Sequence, residues 1–252
     1  MYAVLSPAKK LVEPNARLTL TPQLFANDAK ELVSIMNTKT VSDLQSLMGI
    51  SENLSLLNVE RFSTFGKTLT PSILTFAGDT YQGLNAGTLS QADLEFAQAH
   101  LGILSGLYGL LRPFDGISPY RLEMGTKLKT DRGNSLYEFW GSKITLKLDE
   151  LVANSGSSYL INLASNEYFS AVKKPELTTQ VISPVFKDVR KGKAKVISFL
   201  AKRARGMMAR FITVNRLSHP SELRDFNTAG YRYNPDLSSE TAPVFIREEG
   251  VQ

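Results

Sequence analysis

The chain has 252 residues, 42% of them hydrophobic and 21% charged, with a formal net charge of +5. That length and balance suit a globular core and argue against a disordered chain. There is no cysteine and there are two histidines, His100 and His219, far apart in sequence. Disulfides, thiolate metal sites, iron–sulfur clusters, thiol peroxidase chemistry and a multi-histidine metal site are therefore excluded. Only hard, oxygen-ligated ions remain open, and no cofactor is expected.

Tyr2 to Leu5 is a short apolar run that reads as a buried strand, ending in the polar Ser6 and Lys9. The basic residues follow the apolar ones, the reverse of a secretory signal. No stretch approaches the ~20 apolar residues of a membrane span. The expectation is a cytoplasmic protein with no membrane partner.

A helix is predicted over 22–35, with Thr21 as N-cap ahead of Pro22. Two more are predicted over 42–48 and 52–62. Between them lies Gly49-Ile50-Ser51, which reads as a tight turn. Gly49 suits a left-handed backbone, and Ser51 can cap the second helix. Leu44, Leu47, Leu54 and Leu57 are expected to form the apolar seam of this αα-hairpin. Ser90, followed by Gln91 and Asp93, caps a helix over 90–99.

Leu104 to Leu128 reads LSGLYGLLRPFDGISPYRLEMGTKL. Its glycines and prolines predict loops, and it carries Arg112, Asp115, Tyr120, Arg121, Glu123 and Lys127. A polar surface loop is a frequent place for binding or catalysis, although structural ion pairs would explain the same residues. A helix is predicted over 135–151. Further buried strands are predicted at 159–163, followed by Ser165-Asn166-Glu167, and at 195–199, followed by Lys202-Arg203. Were these strands and 2–5 parallel neighbours, their polar ends would converge, as ligand sites do in α/β sheets. The whole reads as a mixed α/β (α+β) fold, one compact domain over 1–252, with the hairpin at about 42–62.

Charge is unevenly spread. Between Lys187 and Arg216 there are ten Lys and Arg against one acid, Asp188. Taking 200–214 as a helix at about 100° per residue, with Lys202 at zero, Arg210 and Arg203 fall near 80° and 100°, and Arg205 near 300°. Leu200, Met207, Met208, Phe211 and Val214 fall between about 120° and 240°. This predicts an apolar side in the core and a cationic side facing solvent or a phosphate-bearing ligand.

Six stretches together resemble the YaaA peroxide-stress family. They are SPAKK at 6–10, FAGDTYQGL at 76–84, the 104–128 segment, LYEFWGSKI at 136–144, INLASNEYF at 161–169 and ISFLAKRARGMMARFI at 197–212. The resemblance implies a compact α/β fold with a helix-hairpin-helix element and a positively charged cleft. It also implies DNA binding, including distorted duplexes, in the peroxide-stress response, with less iron-dependent oxidative damage. By position, Gly49, Ile50 and Ser51 match the hairpin turn that holds a DNA phosphate. With Lys202, Arg203, Arg205 and Arg210 they form the expected DNA-binding set. Ser6, Lys9, Arg112, Arg121, Glu123, Lys127 and Glu167 form the expected cleft. The competing reading is an enzyme acting on a small phosphate- or nucleotide-containing molecule in that cleft. No Walker A or G-x-G-x-x-G fingerprint supports it.

Overall fold

The computed structural model describes residues 1–14 and 18–250. Its centre is a five-stranded sheet built from β1 (Tyr2–Leu5), β2 (Leu101–Ser105), β3 (Gly109–Leu111), β4 (Tyr159–Leu163) and β5 (Gln180–Ile182), in the order β3-β2-β1-β4-β5. β1 runs parallel to β2 and β4, β4 runs parallel to β5, and only β3 is antiparallel. All of β1 and β2 is buried, which is why both are continuous apolar runs without alternation.

A second sheet comprises β6 (Val185–Arg190), β7 (Lys193–Lys195), β8 (Tyr231–Asn234) and β9 (Val244–Arg247), in the order β7-β6-β9-β8. Phe186, Phe226, Tyr231 and Phe245 cluster on it. Besides a single turn at Ser72–Thr75 and short 3-10 segments, the helices are α1 (Ala26–Asn37), α2 (Val41–Met48), α3 (Glu52–Ser63), α4 (Asp79–Leu84), α5 (Gln91–His100), α6 (Leu136–Trp140), α7 (Lys143–Asn154), α8 (Asn166–Phe169) and α9 (Ser198–Asn215). The mixed α/β class expected from the sequence is observed. Among the described residues no helix is long and apolar enough to cross a membrane.

Several local expectations are corrected. The first helix begins at Ala26, not Pro22. Thr21 caps nothing and instead donates its hydroxyl to Asp115 Oδ1 at 2.6 Å. The helix expected over 135–151 breaks at Gly141 into α6 and α7. The strand expected at 195–199 ends at Lys195, and α9 starts at Ser198. Its place beside β1 is taken by β2, whose LGILS run lies directly against the end of α5 and shows no boundary of its own. Ser90 does cap α5, with Asp93 completing a reciprocal capping box.

The 104–128 segment is not a surface loop. Most of it is buried. Arg112 Nη2 binds Asp115 Oδ1 at 2.8 Å and the Pro22 carbonyl at 2.8 Å, while Ser105 and Tyr120 share a hydrogen bond of 2.7 Å. Burial pushes the Asp115 carboxyl up, against the hydrogen bonds from Arg112 that favour its charge. Arg112 therefore holds this segment closed.

Candidate functional site

The carboxyl ends of the parallel strands meet at one place. Ser6, just past β1, accepts a hydrogen bond at its Oγ from the Ser165 N–H at 2.8 Å, and its carbonyl accepts one from the Tyr81 hydroxyl at 3.0 Å. One residue thus ties β1 to the end of β4 and to α4. Lys10–Leu11 pairs antiparallel with Phe76–Ala77 and brings Lys9 and Lys10 over the start of α4. Glu167, on α8, accepts from the Gly125 N–H at 3.1 Å. Glu123 accepts from Arg121 Nε at 2.9 Å and pairs with Lys9 at 3.6 Å.

These groups wall a cavity of about 270 Å³, closed on the remaining side by Asp79, Tyr81, Tyr168, Lys202 and Arg205. Its charge is mixed, with Lys9, Lys10, Lys202 and Arg205 facing Asp79, Glu123 and Glu167. Burial pushes both phenols up, more so beside neighbouring tyrosines at Tyr81 and beside Glu167 and Glu123 at Tyr168. Both therefore stay protonated at neutral pH, and Tyr81 spends its proton on the Ser6 carbonyl.

Arg205 is half-buried, and that burial pulls its pKa below the usual guanidinium value. Among the described residues no acid forms an ion pair with it. A half-buried guanidinium on a cavity wall with no ion-pair partner of its own is placed to receive an anion from outside.

The expected residues divide. Ser6, Lys9, Glu123, Glu167, Lys202 and Arg205 come together in this cavity. Arg121 reaches it only through Glu123, Arg112 is held by Asp115, and Lys127 is exposed outside the lining. Arg203 and Arg210 leave on the other side of α9. There they line a separate groove of about 410 Å³ with Gln82, Asn85, Met207 and Phe211. Arg210 donates to the carbonyls of Leu84 and Asn85 at 3.1 and 3.0 Å, closing the end of α4. Lys10, Asp79, Tyr81 and Tyr168 were not singled out from sequence, although all lie inside the SPAKK, FAGDTYQGL and INLASNEYF stretches, whereas Ser165 was expected at the polar end of its strand.

The division follows from how α9 packs. Its buried residues are Ala201, Ala204, Gly206, Met208, Ala209, Ile212 and Thr213. The expected apolar side is mostly not buried: of that set only Met208 is, while Val214 is 44% exposed. Small residues, not large apolar ones, make the contact with α4, and this rotates Lys202 and Arg205 toward the cavity.

The α2–α3 hairpin forms with Gly49 left-handed at φ 61° and Ser51 capping Leu54 N–H. Its seam differs from expectation. Leu44 is buried, but Leu54 and Leu57 are 37% and 38% exposed. α3 buries Ser55, Asn58 and Phe62 instead. Ser55 and Asn58 satisfy their donors on the Ser51 and Leu54 carbonyls of their own helix. Gly49, Ile50 and Ser51 form no part of the cavity. Arg61, near the far end of α3, lies close enough to Arg121 to feel its charge. The turn therefore sits roughly 15 Å along α3 from that point.

The model of the peroxide stress protein YaaA family matches residues 1–237. The chain belongs to that family. Its relatives include a UPF0246 protein of Cereibacter sphaeroides, 52% identical over 98% of this chain and 99% of the relative. A UPF0246 protein of Aliivibrio fischeri is 47% identical over 99% of both chains. One of Ruegeria pomeroyi is 47% identical over 98% of both. Membership of the YaaA family is consistent with a role in peroxide stress. Among the described residues no group of three or more His, Asp or Glu side chains gathers as metal ligands would.

Proposed function

We propose that this YaaA-family protein binds DNA through its phosphates, with little reading of base sequence, and so limits iron-dependent oxidative damage. The observation that carries this reading is Arg205, half-buried on the cavity wall with no ion-pair partner among the described residues and with Lys202 one helical turn away. Paired cations of this kind suit a backbone phosphate, which Arg grips with two parallel donors. The orphan N–H groups at the start of α3, beside Gly49 to Ser51, offer a second phosphate contact. Glu52 in that first turn and the nearby Asp43 weaken it. Arg203 and Arg210 would add contacts from the opposite groove.

The test is fluorescence anisotropy with labelled duplex, bubble and four-way-junction DNA across a range of salt. Binding should weaken linearly in log–log salt with a slope of about −0.9 per phosphate neutralised. Arg205→Ala should cost roughly 10–100-fold in affinity, the loss of one charge-assisted contact. No binding at physiological salt overturns the reading.

A second reading is favoured by the three carboxylates in the same cavity, more acid than phosphate tracking requires. In it the cavity holds a small nucleotide- or phosphate-containing molecule on which the protein acts. Saturable binding of mononucleotides by calorimetry, lost in Arg205→Ala and independent of duplex length, would favour this alternative.

A further inference from the structure

The β6–β7 ribbon lies outside the cavity and outside every residue so far assigned to DNA. It is an antiparallel pair joined at Lys191 and Gly192, with φ values of 52° and 70°. Positive φ at both central residues gives the tight turn that matches the strand twist. Arg190 stands directly opposite Lys193, and Asp188 opposite Lys195. Directly opposed residues share a face, as do residues two apart on one strand. Asp188, Arg190, Lys193 and Lys195 therefore all belong to one side of the ribbon.

The single acid on that side is withdrawn from it. Asp188 is 2% exposed, and its carboxylate accepts from Arg247 Nε at 2.6 Å and from the Tyr231 hydroxyl at 2.9 Å. Arg190, Lys193 and Lys195 remain exposed, and among the described residues no acid forms an ion pair with any of them. Like charges directly across a ladder destabilise it. This ladder keeps such a pair, adds a third cation, and neutralises its one acid elsewhere. Glu249 reaches the turn only to accept the Lys191 backbone N–H, at 3.1 Å.

Lysines on an edge strand also discourage edge-to-edge pairing, and β7 is an edge. Arg190 lies past Asp188, the last β6 residue paired with β9, so the tip is two-stranded there, and edge protection does not call for an arginine set directly against the edge lysine. A narrow two-stranded ribbon is a shape that the DNA major groove admits, and phosphate contacts relieve the repulsion between its cations.

We propose that the β6–β7 ribbon is a second DNA-contacting element, laying Arg190, Lys193 and Lys195 on backbone phosphates beside the site that α9 occupies. This rests on the DNA-binding reading above and extends it to a separate part of the fold.

The test compares full-length wild type, the triple variant Arg190→Ala/Lys193→Ala/Lys195→Ala, and a charge-matched control, Lys30→Ala/Lys67→Ala/Lys129→Ala, taken from exposed lysines elsewhere. Anisotropy with one duplex is read across salt. The ribbon variant should lose affinity, and its log–log salt slope should shrink by about 2.7 for three phosphates released. The control should keep most of the wild-type slope, and thermal melting of the ribbon variant should be unchanged or raised as repulsion is removed. A ribbon variant with the wild-type slope, or one no weaker than the control, overturns the proposal while leaving the α9 site standing. A wild type that binds no DNA overturns both.

Discussion

Gly83 on α4 and Gly206 on α9 face one another across a helix crossing closer than any side chain would permit. A Cβ on Gly206 would fall 1.8 Å from the Thr80 carbonyl oxygen, and one on Gly83 would fall 2.1 Å from that of Arg203. The obstacle in each case is backbone, which no rotamer change can move aside. This crossing seats Lys202 and Arg205 opposite Asp79 and Tyr81 and so builds the cavity.

Gly206→Ala should therefore destabilise the protein by about 1–3 kcal/mol or more and weaken ligand binding at the cavity together with the fold. Gly87→Ala, where a Cβ meets nothing within 4 Å, should leave the melting temperature nearly unchanged. Thermal denaturation of both variants checks this. Equal melting temperatures would mean that the helices can separate without cost.

Arg205→Met should leave stability unchanged or slightly raised, while weakening DNA binding by roughly 10–100-fold, the loss of one charge-assisted contact. It removes a half-buried charge that has no ion-pair partner among the described residues and keeps the aliphatic bulk. Chemical denaturation paired with DNA anisotropy reads both effects. A destabilised variant would indicate that Arg205 is satisfied within the fold.

Asp28 supplies a pH dependence whose sign is fixed. Burial pushes its carboxyl up, but hydrogen bonds from Lys143 and Arg132 and their charges outweigh this, leaving its pKa below the usual value. Such a group adds stability above the unfolded-state pKa, and that stability is lost as pH falls through the folded-state pKa. Asp28→Asn should melt at a lower temperature than wild type at pH 7, and the difference should close below about pH 4. A difference that persists in acid would point to packing rather than to the charge cluster.

A Cβ added at the left-handed Gly49 would have no neighbour within 4 Å, so a substitution there meets strain and no clash. Gly49→Ala should cost about 1–2 kcal/mol, and Gly49→Asn less, because Asn tolerates this conformation. Melting temperatures of the two variants rank the effect. An Ala variant as stable as wild type would show that the turn relaxes to another form.

The sequence alone determined what is local. The burial of β1 follows from an unbroken apolar run and that of most of β4 from a run interrupted only by Asn162, the start of α5 from Ser90 and Asp93, and the α2–α3 turn from Gly49 and Ser51. The family resemblance pointed to Ser6, Lys9, Glu123, Glu167, Lys202 and Arg205 as site residues. The tertiary structure decided which of these meet and which way each helix faces. Hydrophobic periodicity assigned the wrong sides to α9 and α3, because α9 is seated by a backbone crossing at Gly206 and α3 buries Ser55 and Asn58 with their donors held by their own helix. The burial of 104–128 was equally hidden, since its polar residues bond to one another and to Thr21 and Pro22, far away in sequence. Periodicity reads how apolar a face is. Close approach and internal hydrogen bonding are properties of pairs of residues, and only the folded chain brings those pairs together.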